Sequence, residues 1–156
     1  DLQAKLLADL SILSLAPLVL EIRYCRWLWK THYHDLVVYR LLYRIVKPFS
    51  EGRIWLFSDR LDRANDNAEH LFRFVQTQKN SIRSYFCLSQ TSSDVHRLSQ
   101  IGKVIPFESF LYKLYFLLAD KIITSSTNRF FVNAFGGKKK YMYDLYNFQT
   151  VFLQHG

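Results

Sequence analysis

The pair His155-Gly156 follows an apolar run at residues 151–153, from which it is separated by Gln154. A histidine has a solution pKa near neutrality, so its imidazole can take a proton from a hydroxyl nucleophile or donate one to a phosphate. A lone histidine is more often structural than catalytic, but the glycine after it lets backbone or ligand approach closely. We therefore predict a catalytic role for His155 and a substrate contact at Gly156.

A second polar cluster, Ser58-Asp59-Arg60, follows the apolar run at residues 54–57. Such a loop can simply be solvated, but the carboxyl end of a buried strand is where α/β proteins bind ligands. The cluster continues to Asn67 at the start of the next predicted helix. We predict that Ser58, Asp59, Arg60 and Asn67 contact substrate.

Asp66 and Glu69 flank that helix start with the spacing of a capping box. Their charges could serve a ligand, but the simpler interpretation is a solvated pair that caps the helix. We favour the capping role for both residues.

A third cluster is a hydroxyl-rich turn, Thr124-Ser125-Ser126, which continues to Arg129. Hydroxyls and backbone N–H groups at a turn suit phosphate oxygens, and Arg129 would add a fork-shaped donor. Taken alone, an ordinary turn that satisfies its own backbone is the simpler interpretation. In the context of the other clusters, we predict that Thr124, Ser125 and Ser126 bind substrate.

The motifs that the sequence lacks argue against nucleotide hydrolases, standard dehydrogenases and α/β-hydrolases. There is no GxGxxG, GxxxxGK[ST] or GxSxG pattern and no cluster with metal-ligand spacing. Cys25 and Cys87 are far apart and are interpreted as buried thiols. We predict neither a cofactor nor a bound metal ion.

The elements that must position these clusters follow from the apolar patterning. From residue 51 onward, short apolar runs alternate with helix-period segments, which indicates an α/β fold with a Rossmann-like parallel sheet of about five strands. The predicted strands are 54–57, 84–88, 104–105, 121–124 and 150–153. The predicted helices are 67–78, 94–100 and 107–118. The working edge should lie at the carboxyl ends of the strands.

Residues 1–50 differ in composition from the rest of the chain, because the first glycine is Gly52. They are predicted to form a helical segment ahead of the 51–156 domain. Basic residues are interleaved with Trp and Tyr over residues 21–47, as in helices that lie in a membrane interface. The alternative is a helical layer packed on the sheet. We favour the membrane interface, with an anionic membrane surface as partner, because so many large aromatic side chains would otherwise need burial. The uncharged stretch at residues 10–20 contains Pro17 and is too short to span a bilayer.

The net charge of +8 and the pI of about 9.6 indicate an anionic partner. A phosphate-bearing substrate, an acidic membrane surface and nucleic acid are all anionic and could be that partner. The chain carries no recognised nucleic-acid motif, so we predict no nucleic-acid partner.

The polar clusters, taken in order, resemble one known family. The similar blocks are residues 55–60, 66–72, 119–125 and 152–156, and the likeness runs from about Arg53 to the end. They resemble the CDP-glycerol glycerophosphotransferases, the teichoic-acid primases and polymerases of bacteria.

The resemblance implies a two-domain GT-B-type fold, of which this chain would supply the N-terminal, acceptor-side domain. Such enzymes transfer glycerol phosphate from CDP-glycerol to a hydroxyl of a lipid-linked acceptor, a polyol-phosphate or glycan, at the cytoplasmic face of the membrane, and release CMP. His155 matches the histidine proposed as general base in the family. Most donor contacts would lie in a C-terminal domain, so we expect these 156 residues to be inactive alone.

Two other functions stay open at this point. A GT-B glycosyltransferase that uses a sugar nucleotide would share the same two-domain plan. A basic membrane-binding module without enzymatic activity would also explain the charge and the aromatic residues of the N-terminal segment.

Overall fold

A computed structural model describes residues 2–50, 53–78, 81–127 and 131–154, with side chains from residue 15 onward. The chain divides into two compact units, residues 1–41 and 42–156. His155, Gly156 and Arg129, for which the sequence predicts roles, lie outside the described residues.

The first unit consists of helix α1 (Leu2–Lys30) and most of helix α2 (His34–Val46). The two helices are joined by a turn in which His32 has a positive φ of 64°. A buried ion pair links them, because Arg40 donates from Nε to Glu21 Oε1 at 2.6 Å and from Nη2 to Glu21 Oε2 at 2.9 Å. This segment is helical, as the sequence predicts.

Helix α1 exposes apolar side chains over its second half. Leu18, Leu20 and Trp29 are each more than half exposed. Over the part of the chain that the structure describes, none of the helices has both the length and the apolar character needed to cross a membrane.

The second unit is built on a five-stranded sheet in which every neighbouring pair is parallel. The strands are β1 (Ile54–Ser58), β2 (Arg83–Leu88), β3 (Lys103–Pro106), β4 (Lys121–Thr124) and β5 (Gln149–Phe152). Their order is β3-β2-β1-β4-β5. The prediction of an α/β fold with a Rossmann-like sheet is confirmed.

This strand order contains a reversal of direction. The chain builds outward from β1 to β3 and then crosses back to place β4 on the other side of β1. In open α/β sheets, ligands bind outside the carboxyl ends of the strands where the order reverses. The crevice between β1 and β4 is therefore the position to search for a site.

Three helices connect the strands: α3 (Asn67–Thr77), α4 (Asp94–Ser99) and α5 (Phe110–Leu118). Helix α5 begins three residues later than the predicted 107–118, because the Ser109 side chain accepts the N–H of Tyr112 at 3.1 Å and caps the helix there. Short 3-10 helices lie at Lys47–Phe49, Gly136–Tyr141 and Tyr143–Leu145.

Aromatic side chains fill both faces of the sheet. On the α3 face, Phe72 lies between Phe57 and Phe86 with ring centroids 5.5 Å from each. Tyr112 and Phe116 of α5 are fully buried as well. Burial on both faces explains why the strands read as continuous apolar runs and not as alternating patterns.

Candidate functional site

Polar residues from three strand ends meet at the switch point of the sheet. Ser58 at the end of β1 is paired in register with Thr124 at the end of β4. The N–H of Ser125 donates to the carbonyl of Ser58 at 3.3 Å, and the N–H of Leu153 donates to the carbonyl of Thr124 at 2.8 Å. The Ser58 and Thr124 clusters, which are far apart in the sequence, therefore belong to one crevice.

Asp59 lies at the centre of this crevice and is only 2% exposed. Its Oδ1 accepts the N–H of Ala68 at 2.9 Å and the hydroxyl of Ser125 at 2.6 Å. Its Oδ2 accepts the N–H of Asp66 at 2.9 Å and that of Glu69 at 3.3 Å. The carboxylate thus occupies the positive N-terminus of α3 and ties it to β4.

Asn67, at the start of α3, connects this helix to the last described residues. Its side-chain amide donates to the carbonyl oxygen of Gln154. Gln154 directly precedes His155 in the sequence. The chain is therefore fixed beside the α3 N-terminus at the last described residue before the His-Gly pair.

The hydroxyl-rich turn after β4 satisfies much of its own hydrogen bonding. Thr124 Oγ1 accepts the N–H of Ser126 at 3.1 Å and lies 3.1 Å from the Ser126 carbonyl, to which it can donate. With the Ser125 hydroxyl directed to Asp59, the turn is folded against the site and is not a solvated loop. Ser126 is half-buried and marks the outer side of the turn.

The hydroxyl of Ser58 is different, because it is buried and lacks a hydrogen-bond partner among the described residues. Ser58 is 1% exposed. A buried hydroxyl without a partner costs about 1–3 kcal/mol. A ligand or water that accepts a hydrogen bond from Ser58 would therefore lower the energy of this site.

Arg60 lies in the exposed loop that follows Asp59. Its N–H donates to the carbonyl of Arg63 at 3.2 Å, which closes the loop on itself. Arg63 is not among the residues predicted from the sequence, although the three-residue spacing of two arginines after a strand end is a usable signal. Both arginines line a cavity of about 220 Å³ together with Asp59 and Asp66.

The prediction that Asp66 and Glu69 form a solvated capping box is wrong for Glu69. Asp66 does cap α3, since its Oδ1 accepts the N–H of Asn67 at 2.7 Å. The N–H of Asp66, however, donates to Asp59 and not to Glu69.

Glu69 is instead buried in an ion-pair network, with 2% of its side chain exposed. It accepts hydrogen bonds from Arg73 at 2.7 Å and from Arg97 Nη2 at 2.9 Å. Burial alone would raise the pKa of Glu69, but the hydrogen bonds and charges of Arg97 and Arg73 outweigh it and lower that pKa below its usual value. The sequence could not reveal the partner Arg97, which lies 28 residues away in α4.

The described residues contain no cluster of His, Cys, Asp and Glu that could hold a metal ion. Cys87 is fully buried, and this burial raises the pKa of its thiol, as expected for a structural cysteine. The groups that the site leaves available among the described residues are the hydroxyl of Ser58 and the guanidinium groups of Arg60 and Arg63, which suit a phosphate-bearing ligand.

Comparison with known proteins places this chain in a family. The family model described as CDP-Glycerol:Poly(glycerophosphate) glycerophosphotransferase matches residues 39–156. The chain belongs to this family. The match takes in the whole sheet and all the polar residues of the crevice.

A relative in this family is the "Minor teichoic acid biosynthesis protein GgaB" of Bacillus subtilis (strain 168). It is 38% identical over 117 residues, which is 75% of this chain and 13% of that protein. The chain thus spans about an eighth of the length of this family member. No solved structure matches the chain.

Proposed function

We propose that this chain is the acceptor-side, N-terminal part of a glycerophosphotransferase. The full protein would move glycerol phosphate from CDP-glycerol to a hydroxyl of a lipid-linked acceptor in teichoic acid or capsule-type polymer synthesis. The observation that carries the proposal is the convergence of the β1, β4 and β5 ends at the switch point, within a chain of this family.

The reaction requires a base, a route for the proton and donors for the phosphoryl oxygens. The acceptor hydroxyl attacks the phosphorus that bears glycerol, the bond from that phosphorus to the bridging oxygen of CMP breaks, and CMP leaves with its electron pair. His155 takes the proton of the attacking hydroxyl. Its assignment is supported by Gln154, which Asn67 holds beside the crevice.

The other groups of the crevice would stabilise charge on the phosphate. Arg60 would supply a guanidinium to the acceptor or to a phosphate. Thr124, Ser125 and Ser126 would contact substrate by exchanging hydrogen bonds that the turn makes within itself and to Asp59 for bonds to phosphoryl oxygens. The unpartnered hydroxyl of Ser58 is a further donor at the floor of the crevice. Gly156 would leave room for the acceptor beside His155.

We further propose a GT-B-type arrangement in which most contacts to the CDP-glycerol nucleotide come from a C-terminal domain of the full protein. The length of GgaB, of which this chain spans 13%, leaves ample room for such a domain. On this basis residues 1–156 alone would bind acceptor without catalysing transfer.

A peripheral position on the cytoplasmic membrane face fits the first unit. Arg23, Arg26, Trp27 and Lys30 line a shallow cavity of about 250 Å³ on α1. The same helix exposes Leu18, Leu20 and Trp29. Apolar side chains and aromatic rings would enter the headgroup region while the cations contact lipid phosphates.

The test of the proposed function is a donor panel assayed with the full-length protein. CDP-glycerol, CDP-ribitol and UDP-sugars would be offered with a lipid-linked acceptor, and CMP or UDP release measured. We expect CDP-glycerol to be consumed and His155→Ala to lower the rate by about 10²–10⁴. His70→Ala, which removes an exposed histidine of α3, is the matched control.

Two outcomes would contradict this function. Consumption of a UDP-sugar in place of CDP-glycerol would favour the glycosyltransferase alternative. Wild-type turnover by the His155→Ala protein would show that His155 is not the general base.

A further inference from the structure

The loop between β1 and α3 lines a small, open cavity at the edge of the crevice. The cavity has a volume of about 220 Å³. Its lining residues are Asp59, Arg60, Arg63, Ala64, Asn65 and Asp66. Small-molecule sites commonly measure about 300–1,000 Å³, so this one suits a single phosphate-bearing unit better than a whole nucleotide.

The backbone of this loop is held at both ends and in the middle. The N–H of Ala64 donates to Asp94 Oδ2 at 2.9 Å, and the N–H of Asp66 donates to Asp59 Oδ2 at the same distance. The N–H of Arg60 closes on the carbonyl of Arg63. The backbone positions of the two arginines are therefore fixed relative to each other, which lowers the cost of ordering the loop when a ligand binds.

The guanidinium groups of Arg60 and Arg63 are exposed, and among the described residues neither forms a hydrogen bond or a salt bridge. The arginines of the adjoining helices differ in this respect. Arg73 and Arg97 are both engaged by Glu69. Around this loop, the cations left available for an external anion are thus Arg60 and Arg63.

The two acids that line the cavity are already engaged with donors. Asp59 accepts four hydrogen bonds, and Asp66 Oδ1 accepts the N–H of Asn67. Because Asp59 fills the N-terminus of α3, an anion cannot bind there. The guanidinium groups are the cationic feature that an incoming phosphate would meet.

We propose that Arg60 and Arg63 together bind one phosphate of the polyol-phosphate chain of the acceptor in this cavity. This inference rests on the proposed function and adds Arg63 and the class of ligand to it. Two planar forks can share the oxygens of one phosphate, which a pair of lysines would do with less directional specificity. The next unit of the chain would then present its hydroxyl toward the crevice.

The test is binding to the full-length protein, measured by isothermal titration with two probes. One probe is a short poly(glycerol phosphate) oligomer, and the other is CDP-glycerol. We expect Arg63→Gln to weaken oligomer binding by roughly tenfold or more and to leave CDP-glycerol binding unchanged. Arg63→Lys should lose less oligomer affinity than Arg63→Gln, since lysine keeps the positive charge and lacks only the bidentate geometry of the guanidinium.

Lys103→Gln is the matched control. It removes the same charge from an exposed residue at the amino end of β3, on the opposite edge of the sheet. Equal oligomer affinity for Arg63→Gln and Lys103→Gln would overturn the proposal. A loss confined to CDP-glycerol would overturn the assignment to the acceptor.

Failure of this inference can be told from failure of the proposed function. If the protein transfers glycerol phosphate from CDP-glycerol but Arg63→Gln does not change oligomer affinity, the phosphate site is overturned and the proposed function stands. Oligomer binding that depends on Arg63, without any transfer from CDP-glycerol, supports the phosphate site and rejects the proposed donor.

Discussion

The hydroxyl of Ser125 donates to Oδ1 of Asp59 at 2.6 Å, across the switch point between β1 and β4. Both residues are buried, and both come from clusters for which substrate contacts are predicted. Asp59 also receives three N–H groups at the start of α3. The contact gives Asp59 a clear structural role, whatever its role toward a ligand.

Asp59→Ala should therefore destabilise the fold. It leaves buried N–H groups without an acceptor and removes a negative charge from the α3 N-terminus, so the free energy of unfolding should fall by about 3 kcal/mol. Urea denaturation measures this. Asp62→Ala, which removes an exposed carboxylate from the same loop, should change stability by no more than about 0.5 kcal/mol. Similar values for the two variants would contradict the role of Asp59.

Ser58→Ala should separate stability from ligand binding. Because the hydroxyl has no partner among the described residues, its removal should leave the free energy of unfolding unchanged or slightly higher. Ser84 is the matched comparison, since its buried hydroxyl accepts from Gln76 Nε2 at 2.9 Å, and Ser84→Ala should cost about 1 kcal/mol. In the full-length protein, Ser58→Ala should raise the KM for acceptor. A large stability loss in Ser58→Ala would show that the hydroxyl is satisfied.

The Glu69 network predicts a specific pH dependence of stability. The pKa of Glu69 is lowered in the folded state, so its contribution is fully present above the unfolded-state pKa of about 4.5 and is lost as pH falls through the lower folded-state pKa. Glu69→Gln should thus have a shallower loss of stability below pH 4.5 than the wild type. Its stability at pH 7 should be lower by about 2 kcal/mol.

The control for that titration is Glu108→Gln, which replaces an exposed glutamate of unit 2. The denaturant midpoint of Glu108→Gln, plotted against pH from pH 3 to pH 7, should give a curve of the same shape as that of the wild type. If Glu69→Gln also followed the wild-type curve, Glu69 would not be the titrating group.

The membrane proposal predicts a loss of vesicle binding when the α1 cations are removed. Replacement of Arg23, Arg26 and Lys30 by Gln should weaken binding to vesicles that contain anionic lipid by on the order of 100-fold, from about 1 kcal/mol for each basic residue near the surface. Co-sedimentation at low and high salt measures this. The control replaces Lys138, Lys139 and Lys140, exposed lysines of unit 2, and removes the same charge. Equal loss in the two triple variants would reject α1 as the anchor.

The strands were predictable because each is a continuous apolar run between polar residues. The segment at 121–124 agrees with β4 at both ends, and each of the others differs by one residue at one or both ends. The start of α5 was not predictable from apolar spacing, since the Ser109 cap overrides the helical pattern of Phe107. Local signals fix such elements only where cap and periodicity agree.

The site could be located but not resolved from the sequence. Strand ends identify Ser58, Asp59 and Thr124 as neighbours of the working edge, and the structure brings them together. The sequence does not show that Asp59 is saturated by helix N–H groups, nor that Glu69 turns inward to Arg97. Both facts depend on contacts between distant segments, which periodicity does not encode.

The placement of β4 beside β1 has a consequence for how the protein folds. Asp59 and Ser125 are 66 residues apart in sequence, and both β2 and β3 lie between them. A chain emerging from the ribosome can form β1, α3 and β2 by near-neighbour contacts, whereas the β1–β4 pairing must close a long loop and is slow. We expect the crevice to form late in folding, with the carboxylate of Asp59 already held at α3 before Ser125 arrives.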